Sequence, residues 1–175
     1  MKKLLDSKRI GEVLDDIAGR IVSDAGKKGA LAVIGIRSRG EILGHRLAER
    51  LSEALGEEVP CGVLDITLYR DDLNSRGGHE QPEVRTTEIG FDIDDTLIIL
   101  VDDVLYTGRS TRAALDALID LGRPEAIRLA VLVDRKGREF PIQADYIGIK
   151  SDARPGQRVQ VNLVESDGED VVVVE

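Results

Sequence analysis

Apolar residues recur at helical spacing in several segments of the chain. The first, residues 7–25, carries isoleucine, valine and leucine three or four positions apart behind Ser7, a residue type that caps helices. Residues 41–55 repeat this period, and residues 111–121 continue the pattern further along. Because positions three and four apart share one face of a helix, we predict amphipathic helices over these ranges.

Runs of β-branched and other apolar residues lie between and after the predicted helices. The run TLIILVDD at 96–103 is apolar without interruption until its final acids, which is typical of a strand buried on both faces of a parallel sheet. The last two runs are separated by SDGE, a turn sequence that predicts a terminal hairpin. The predicted strands are residues 30–36, 62–69, 96–103, 126–134, 144–149, 158–165 and 170–174.

The alternation of strands and helices predicts one α/β domain, residues 1–175, built on a doubly wound, mostly parallel sheet. Ligands of such sheets bind at the carboxyl ends of the strands. The loops that follow strands should therefore face one cleft, and the longest of them is polar with a Gly-Gly pair, which predicts mobility. These loops are residues 37–40, 69–90, 102–111 and 134–138.

Composition and charge exclude several classes of protein. A formal net charge of −9 argues against the basic surface that most nucleic-acid-binding proteins carry, although residues 135–158 hold a local surplus of basic side chains. There is neither an apolar run of membrane-spanning length nor a signal-peptide core, so we expect a cytoplasmic protein without a membrane partner. The single cysteine, Cys61, rules out an internal disulfide, and only two histidines argue against a structural zinc site.

Two adjacent aspartates, Asp102 and Asp103, stand where the apolar run of IILVDDVLYTGRSTRAA ends. Adjacent carboxylates cost desolvation and mutual repulsion, so we expect them to serve a function. The next loop, YTGRST at 106–111, places Gly108 and hydroxyl residues before a helix, where backbone amides and the helix dipole bind phosphate. Carboxylates beside a phosphate site suit a sugar phosphate, by accepting from ribose hydroxyls or by binding Mg²⁺.

Other phosphate-binding motifs fit this sequence less well. The stretch GIRSRGEI at 35–42 has the glycine spacing of a P-loop, but Glu41 and Ile42 stand where lysine and serine or threonine are required. No G-x-G-x-x-G motif follows a predicted strand. A phosphoacceptor receiver domain carries its acidic pair at the first strand, whereas the pair here adjoins the glycine loop itself.

The segment IILVDDVLYTGRST resembles the phosphoribosyl pyrophosphate (PRPP) binding signature of type I phosphoribosyltransferases, in which an apolar strand, two acids and a Thr-Gly loop follow one another. With GIRSRG, DITLYRDDL at 65–73 and LVDRKGREFPIQADYIG at 132–148, the chain resembles the pyrimidine operon attenuation regulators that are also uracil phosphoribosyltransferases. This resemblance implies an enzyme that makes UMP and pyrophosphate from uracil and PRPP with Mg²⁺. It also implies uridine-nucleotide-dependent binding to pyrimidine-operon mRNA, and a homodimer or larger assembly.

The resemblance assigns roles to individual residues of the PRPP site. Asp102 and Asp103 would hold the ribose hydroxyls, directly or through water on Mg²⁺, and Arg39 would stabilise the pyrophosphate leaving group. These three residues are the implied catalytic residues. The implied contacts with PRPP are Ser38, Arg39, Gly40, Asp102, Asp103, Val104, Leu105, Tyr106, Thr107, Gly108, Arg109, Ser110 and Thr111.

Two further parts of the site follow from the same resemblance. A flexible loop at about 69–90, beginning with Tyr69 and Arg70, would close over PRPP and exclude water. A small hood formed by the C-terminal strands, with Arg135 and the strand near Val159, would cover the uracil ring. An RNA-binding face would need basic side chains to converge on one surface, namely Arg109, Arg112, Arg135, Arg138 and Arg154.

The chain departs from the family pattern in one region. The stretch DRKGREFPIQ at 134–143 lacks a histidine that the family usually carries and has Gln143 in place of a later arginine, and GIKSDAR at 148–154 also differs. The phosphate loop also reads Arg109-Ser110-Thr111 where arginine, threonine and an aliphatic residue are common in the family. The PRPP site survives this change, so the departures concern mainly uracil selectivity and RNA contact. Two alternatives therefore stay open, namely a phosphoribosyltransferase of the same superfamily without RNA binding and a nucleotide-sensing regulator with little catalysis.

Overall fold

A parallel sheet of five strands forms the centre of the chain. The structure is a computed structural model that describes residues 1–25, 29–71 and 86–175. All neighbouring strands of this sheet are parallel, and their order is β3-β2-β4-β5-β6. The strands are β2 (Ala30–Ile36), β3 (Cys61–Leu64), β4 (Thr96–Leu105), β5 (Ala126–Arg135) and β6 (Tyr146–Ser151).

Helices cover both faces of this sheet. Helices α1 (Ser7–Ala25) and α2 (Arg39–Leu55) pack on one face, in a core that includes Ile99 of β4. Helix α3 (Arg109–Leu121) packs on the other face, in a separate core that includes Ile98. Neighbouring side chains of a strand point to opposite faces, which is why an uninterrupted apolar run is needed in β4. The predicted doubly wound α/β fold is confirmed.

A second, three-stranded sheet lies beside the first. It consists of β1 (Lys2–Asp6), β8 (Val171–Val174) and β7 (Val159–Asn162), in the order β1-β8-β7, with antiparallel pairing throughout. The predicted hairpin of the last two runs is confirmed, and the short helix α4 (Val164–Asp167) lies in its connection. The predicted strand 158–165 was therefore too long at its end.

Strand β1 was absent from the sequence prediction, because its pattern contains only two apolar residues, Leu4 and Leu5. It becomes a strand through its backbone hydrogen bonds with β8, which lies at the other end of the chain. The small sheet therefore draws on both termini, rather than on the C-terminal strands alone. Within the described ranges, no helix is long and apolar enough to cross a membrane.

The predicted strand 62–69 was also too long, since β3 ends at Leu64 and a 3₁₀ turn occupies Thr67–Tyr69. The carboxylate of Asp65 explains this difference. Its Oδ1 accepts hydrogen bonds from the backbone N of Thr67 at 3.0 Å and from the hydroxyl of the same residue at 2.6 Å. Such local side-chain bonds offer the backbone an alternative to the sheet ladder and favour a turn.

The sheet reverses its winding between β2 and β4. These strands are neighbours, yet α2 follows β2 on one face and α3 follows β4 on the other. The loops that leave the two strands therefore diverge and leave a crevice at their carboxyl ends, which is where open α/β sheets bind ligands.

Candidate active site

A polar pocket of about 240 Å³ occupies this crevice. It gathers side chains from the ends of β2, β3 and β4 and from the start of α3. Three of its side chains are arginines and three are aspartates, so it can bind an anion and a cation side by side. The lining residues are Ile36, Arg37, Ser38, Arg39, Asp65, Ile66, Thr67, Arg70, Asp102, Asp103, Val104 and Ser110.

Asp102 and Asp103 lie near the end of β4, and the carboxylate of each accepts a hydrogen bond from the backbone N of the next residue. Asp102 Oδ1 accepts from the N of Asp103 at 2.9 Å, and Asp103 Oδ1 accepts from the N of Val104 at 2.8 Å. Burial and the neighbouring Asp103 carboxylate raise the pKa of Asp102 well above its ordinary range. A cation or hydroxyl donors in the pocket would relieve this unfavourable pairing.

The donor chemistry of the acidic pair fits Mg²⁺, which prefers carboxylate oxygens and usually takes only one or two of them from a protein. Within the described residues there is no group of three or more histidine, cysteine, aspartate or glutamate side chains that could enclose a metal ion. Asp102 and Asp103 would therefore hold such an ion only together with substrate oxygens and water.

The turn between β2 and α2 supplies the basic side of the pocket. Ser38 precedes α2 without capping it by a side-chain hydrogen bond, and the Arg37–Ser38 peptide bond is cis. The start of α2 therefore presents uncapped backbone amides, which attract anions. Gly40 brings this start against β4, since a Cβ at that position would lie 2.6 Å from the carbonyl oxygen of Val101.

Arg39 lines the pocket but its guanidinium also reaches the small sheet. Its Nη2 donates to Oδ1 of Asp167, at the end of α4, over 2.8 Å. Its Nε is shielded from solvent and has no hydrogen-bond partner among the described residues. One nitrogen of the guanidinium is thus anchored, while another has no acceptor in the part of the chain that the structure describes.

Sequence reasoning overlooked Arg37 and Asp65, which line the same pocket. Arg37 donates to the carbonyl oxygen of Thr86 from Nε at 3.0 Å and from Nη2 at 2.8 Å, and from Nη1 to Glu41 at 3.1 Å. Arg37 therefore connects the turn after β2 to the segment that begins at Thr86. The signal that could have found both residues is their position directly after β2 and β3, because ligands bind at strand ends.

The predicted phosphate loop joins β4 to α3 through Tyr106, Thr107 and Gly108. Gly108 has a φ of 89°, a left-handed conformation that other residues rarely adopt. Thr107 Oγ1 accepts from the N of Arg109 at 3.2 Å, so this hydroxyl satisfies the loop itself. Gly108, which precedes α3, has no side chain to cap it, so the next amides, those of Ser110 and Thr111, are available to a phosphate.

The other predicted residues of this loop divide into two groups. Ser110 lines the pocket together with the acidic pair. The side chains of Leu105 and Thr111 are buried, with 2% and 3% exposure, so only their backbone groups are available to a ligand.

Arg109 does not point its charge into the pocket. Its Nη1 donates to Asp71 at 2.6 Å, its Nε donates to Glu139 at 2.7 Å, and its guanidinium carbon lies 4.9 Å from the centre of the Phe140 ring. The Glu139 hydrogen bond raises the pKa of Arg109. The loop therefore offers a phosphate amides and hydroxyls, since this arginine is already neutralised by two carboxylates.

The start of the predicted flexible loop is attached to α3. Tyr69 donates its hydroxyl to Asp120 at 2.7 Å, and its carbonyl oxygen accepts from Arg112 at 3.1 Å. Tyr69 therefore does not line the pocket, whereas Arg70 does. The central part of the loop, residues 72–85, lies outside the described residues.

A second pocket, of about 360 Å³, lies at the ends of β5 and β6, next to the predicted phosphate loop. Arg135 lines it and is only 6% exposed. Its guanidinium carbon lies 4.0 Å from the centre of the Tyr106 ring, its Nη1 donates to the carbonyl oxygen of Gln157 at 2.9 Å, and its Nε has no partner among the described residues. Gly137 leaves room for this ring, because a Cβ there would lie 2.2 Å from Tyr106 Cε2.

Val159, the other predicted hood residue, has its side chain in the core that α1 and α2 share, with 8% exposure. It does not line either pocket, so only its backbone could face a ligand.

The arginines predicted for an RNA face are largely occupied by contacts within the chain. Arg112 pairs with Asp116 at 2.7 Å, and Arg138 pairs with Asp134 at 2.6 Å. Arg109 and Arg135 are held as described above. Among these five residues, all in the described part of the chain, only Arg154 has an exposed side chain without such a contact.

Comparison with known proteins agrees with this geometry. The family model described as "Phosphoribosyl transferase domain" matches residues 1–166. The "Bifunctional protein PyrR" of Deinococcus radiodurans is 55% identical over 171 residues, covering 97% of this chain and 91% of the relative. The protein of the same name from Bacillus mycoides is 47% identical, covering 98% of this chain and 95% of the relative.

Solved structures support the fold. A hypoxanthine phosphoribosyl transferase of Trypanosoma cruzi matches with a TM-score of 0.73 at 20% identity, covering 99% of this chain and 91% of that chain. A hypoxanthine phosphoribosyltransferase of Staphylococcus aureus matches with a TM-score of 0.65 at 19% identity, covering 87% and 78%. With the relatives above, these matches lead to one conclusion: the chain belongs to the PyrR family of proteins with a phosphoribosyl transferase domain.

Proposed function

We propose that this chain transfers the phosphoribosyl group of PRPP to uracil, giving UMP and pyrophosphate. The observation that carries the proposal is the pocket at the switch between β2 and β4, because it joins Asp102 and Asp103 to Ser38 and Arg39 and to Ser110. One activated sugar, with a phosphate at one end and a pyrophosphate at the other, needs these three kinds of group together.

Each part of PRPP has a matching surface in this arrangement. Pyrophosphate would lie at the start of α2, where backbone amides and the guanidinium groups of Arg37 and Arg39 stabilise its negative charge. The ribose hydroxyls would donate to the Asp102 and Asp103 carboxylates. The 5′-phosphate would lie at the start of α3, beside Ser110.

The acidic pair would also hold Mg²⁺, which neutralises charge on pyrophosphate when it is bound. Arg70 adds a basic side chain to the same pocket, at the point where the chain enters residues 72–85. Closure of that segment over PRPP would exclude water and prevent hydrolysis.

The reaction exchanges one bond at C1 of the ribose for another. Uracil N1 loses its proton and bonds to C1, while the bond between C1 and the pyrophosphate oxygen breaks and its electrons leave with pyrophosphate. Negative charge grows on the leaving group as this happens, so donors fixed at the start of α2 stabilise the transition state more than the ground state. The chain then needs no nucleophile of its own.

Uracil would occupy the second pocket, beside Tyr106 and Arg135. The buried Nε of Arg135 is a donor without a partner among the described residues, and a ring carbonyl oxygen can accept from it. The departures from the family pattern at 134–143 lie in this region, so uracil selectivity is the part of the proposal that most needs measurement.

Radiolabelled uracil, PRPP and Mg²⁺ provide the test. Wild-type protein should form UMP, and Asp103→Asn should lower kcat/KM by about 100-fold or more, since a group acting on the transition state is lost. Asp95→Asn is the matched control, because Asp95 is exposed at the other end of β4 and its φ of 53° suits asparagine. Product from orotate or a purine, and none from uracil, would refute the substrate assignment.

The relatives are named bifunctional, and we propose as the second activity the one that the sequence resemblance implies, namely uridine-nucleotide-dependent binding to pyrimidine-operon mRNA by a cytoplasmic homodimer or larger assembly. The net charge of −9 and the internal pairing of Arg112 and Arg138 mean that few of the five predicted arginines, all of which the structure describes, are available for phosphate contacts. Binding with UMP should weaken as salt rises, with a slope set by the phosphates neutralised. A flat titration or no binding would leave a phosphoribosyltransferase without this regulatory role, and light scattering would report the assembly.

A further inference from the structure

The connection between β7 and β8 is held to α2 by a half-buried arginine. Arg46 donates to Asp170 at 3.0 Å from Nη1 and 2.9 Å from Nη2, and to Glu165 at 2.8 Å from Nε. Its side chain is 17% exposed and that of Asp170 is 13% exposed. The Arg46 hydrogen bonds lower the pKa of both carboxyl groups. Shielded pairs with two donors each have a defined geometry, so this contact fixes the position of α4.

Asp167, at the end of α4, is held in a fixed orientation by its own turn. Its Oδ2 accepts from the N of Leu163 at 2.9 Å and from the hydroxyl of Ser166 at 2.7 Å. These bonds, the first above all, together with Arg39, lower the pKa of Asp167. Its Oδ1 accepts from Nη2 of Arg39 at 2.8 Å. The carboxylate therefore uses one oxygen for the turn and the other for an arginine of the pocket.

Arg39 lies two helical turns before Arg46, on the same side of α2. Its long side chain would otherwise sample many rotamers, and ordering it when an anion binds would cost affinity. With Nη2 fixed by Asp167, the guanidinium keeps its orientation while Nε remains without an acceptor among the described residues. A guanidinium group has five N–H donors, so a bond to Asp167 leaves donors for an anion.

We propose that Asp167 is a positioning residue that orients Arg39 toward the pyrophosphate group. This inference rests on the proposed function and extends it, because it makes the small sheet part of the pyrophosphate site. Arg46 fixes the position of the β7–β8 connection, and Asp167, which belongs to that connection, holds the guanidinium of Arg39 in the pocket. Preorganised donors of this kind need no rearrangement when charge develops on the leaving group.

The test compares Asp167→Asn with Glu169→Gln, measured in the reverse reaction from UMP and pyrophosphate. Asparagine can still accept from Leu163 but lacks the charge that holds Arg39. We expect the KM for pyrophosphate to rise about fivefold, while the KM for UMP stays unchanged. Glu169 is exposed in the same turn and loses the same charge, so its variant corrects for the general electrostatic effect.

A coupling measurement separates positioning from general damage to the fold. In an Arg39→Ala background, Asp167→Asn should cause no further rise in the KM for pyrophosphate, because its effect passes through Arg39. Equal values for Asp167→Asn and Glu169→Gln, an additive effect, or a lowered KM for pyrophosphate would each overturn the inference. Failure of the wild-type protein to form UMP from uracil and PRPP would instead overturn the proposed function, and the inference with it.

Discussion

Replacing Gly40 by alanine tests the closest backbone contact of the site. Gly40 is the second residue of α2, and an added Cβ would lie 2.6 Å from the carbonyl oxygen of Val101 and 3.2 Å from Cα of Asp102. Both atoms belong to the backbone of β4, so no flexible side chain can move aside. The start of α2 must shift away from the acidic pair.

The expected cost follows from the size of this overlap. Overpacking a well-packed position costs about 1–3 kcal/mol, and contact with backbone places Gly40→Ala near about 2 kcal/mol. For a chain of this length, that loss lowers the melting temperature by about 4–8 °C. Because the shift separates the pyrophosphate turn from Asp102, the KM for PRPP should also rise, by about tenfold or more.

Thermal melting and turnover of uracil with PRPP measure the two effects. Gly19→Ala is the matched control, because Gly19 is exposed within α1 and an added Cβ meets no described atom within 4 Å apart from the backbone of its own helix. Removing a helical glycine there should stabilise the protein by about 1 kcal/mol. Equal melting temperatures and PRPP affinities for the two variants would show that α2 and β4 are not as closely packed as described.

Two predictions concern titratable groups away from the pocket. Arg46→Met should destabilise the protein by about 2 kcal/mol at pH 7, because the shielded Asp170 carboxylate loses the arginine that neutralises it, although the exposure of Glu165 reduces the loss. Both carboxyl groups have a lowered folded-state pKa, so their contribution is present above their ordinary values near pH 4 and disappears as pH falls through the folded values. Urea unfolding from pH 7 to 2.5 should therefore show the variant and wild type converging, and a constant difference would refute this linkage. Burial, and then Glu41, raises the pKa of Cys61 to about 11, so iodoacetamide should alkylate it at pH 8 about a hundredfold more slowly than after unfolding in urea. Equal rates would show an accessible thiolate.

The sequence predicted the three long helices and most of the parallel strands closely because their periodicity directly reports burial. The predicted helix 7–25 and strand 30–36 have the bounds of α1 and β2. Helices α2 and α3 each begin two residues before the prediction, since their first residues belong to the site and none of them carries an apolar side chain that would mark the helix. The strand missed at Lys2–Asp6 has a weak pattern of its own and forms by pairing with β8.

The candidate site, too, could be predicted from the sequence only in part. Its location, at Asp102 and Asp103 and in the loops beyond the strands, could be predicted because parallel strands end at one edge of a sheet. The partners of its arginines could not. Nothing local links Arg39 to Asp167, and the acids that neutralise Arg109 come from two other loops.

The sequence by itself therefore determined which segments are buried, the class of sheet they form and the edge at which charged groups collect. Those properties depend on the spacing of apolar and polar residues along the chain, which can be read directly from the sequence. The tertiary structure decided which carboxylate holds which guanidinium, and hence that Arg39 is anchored while Arg109 is neutralised. Coulombic and hydrogen-bonded contacts depend on distances of a few ångströms between residues that are far apart in sequence, and only folding brings those residues together.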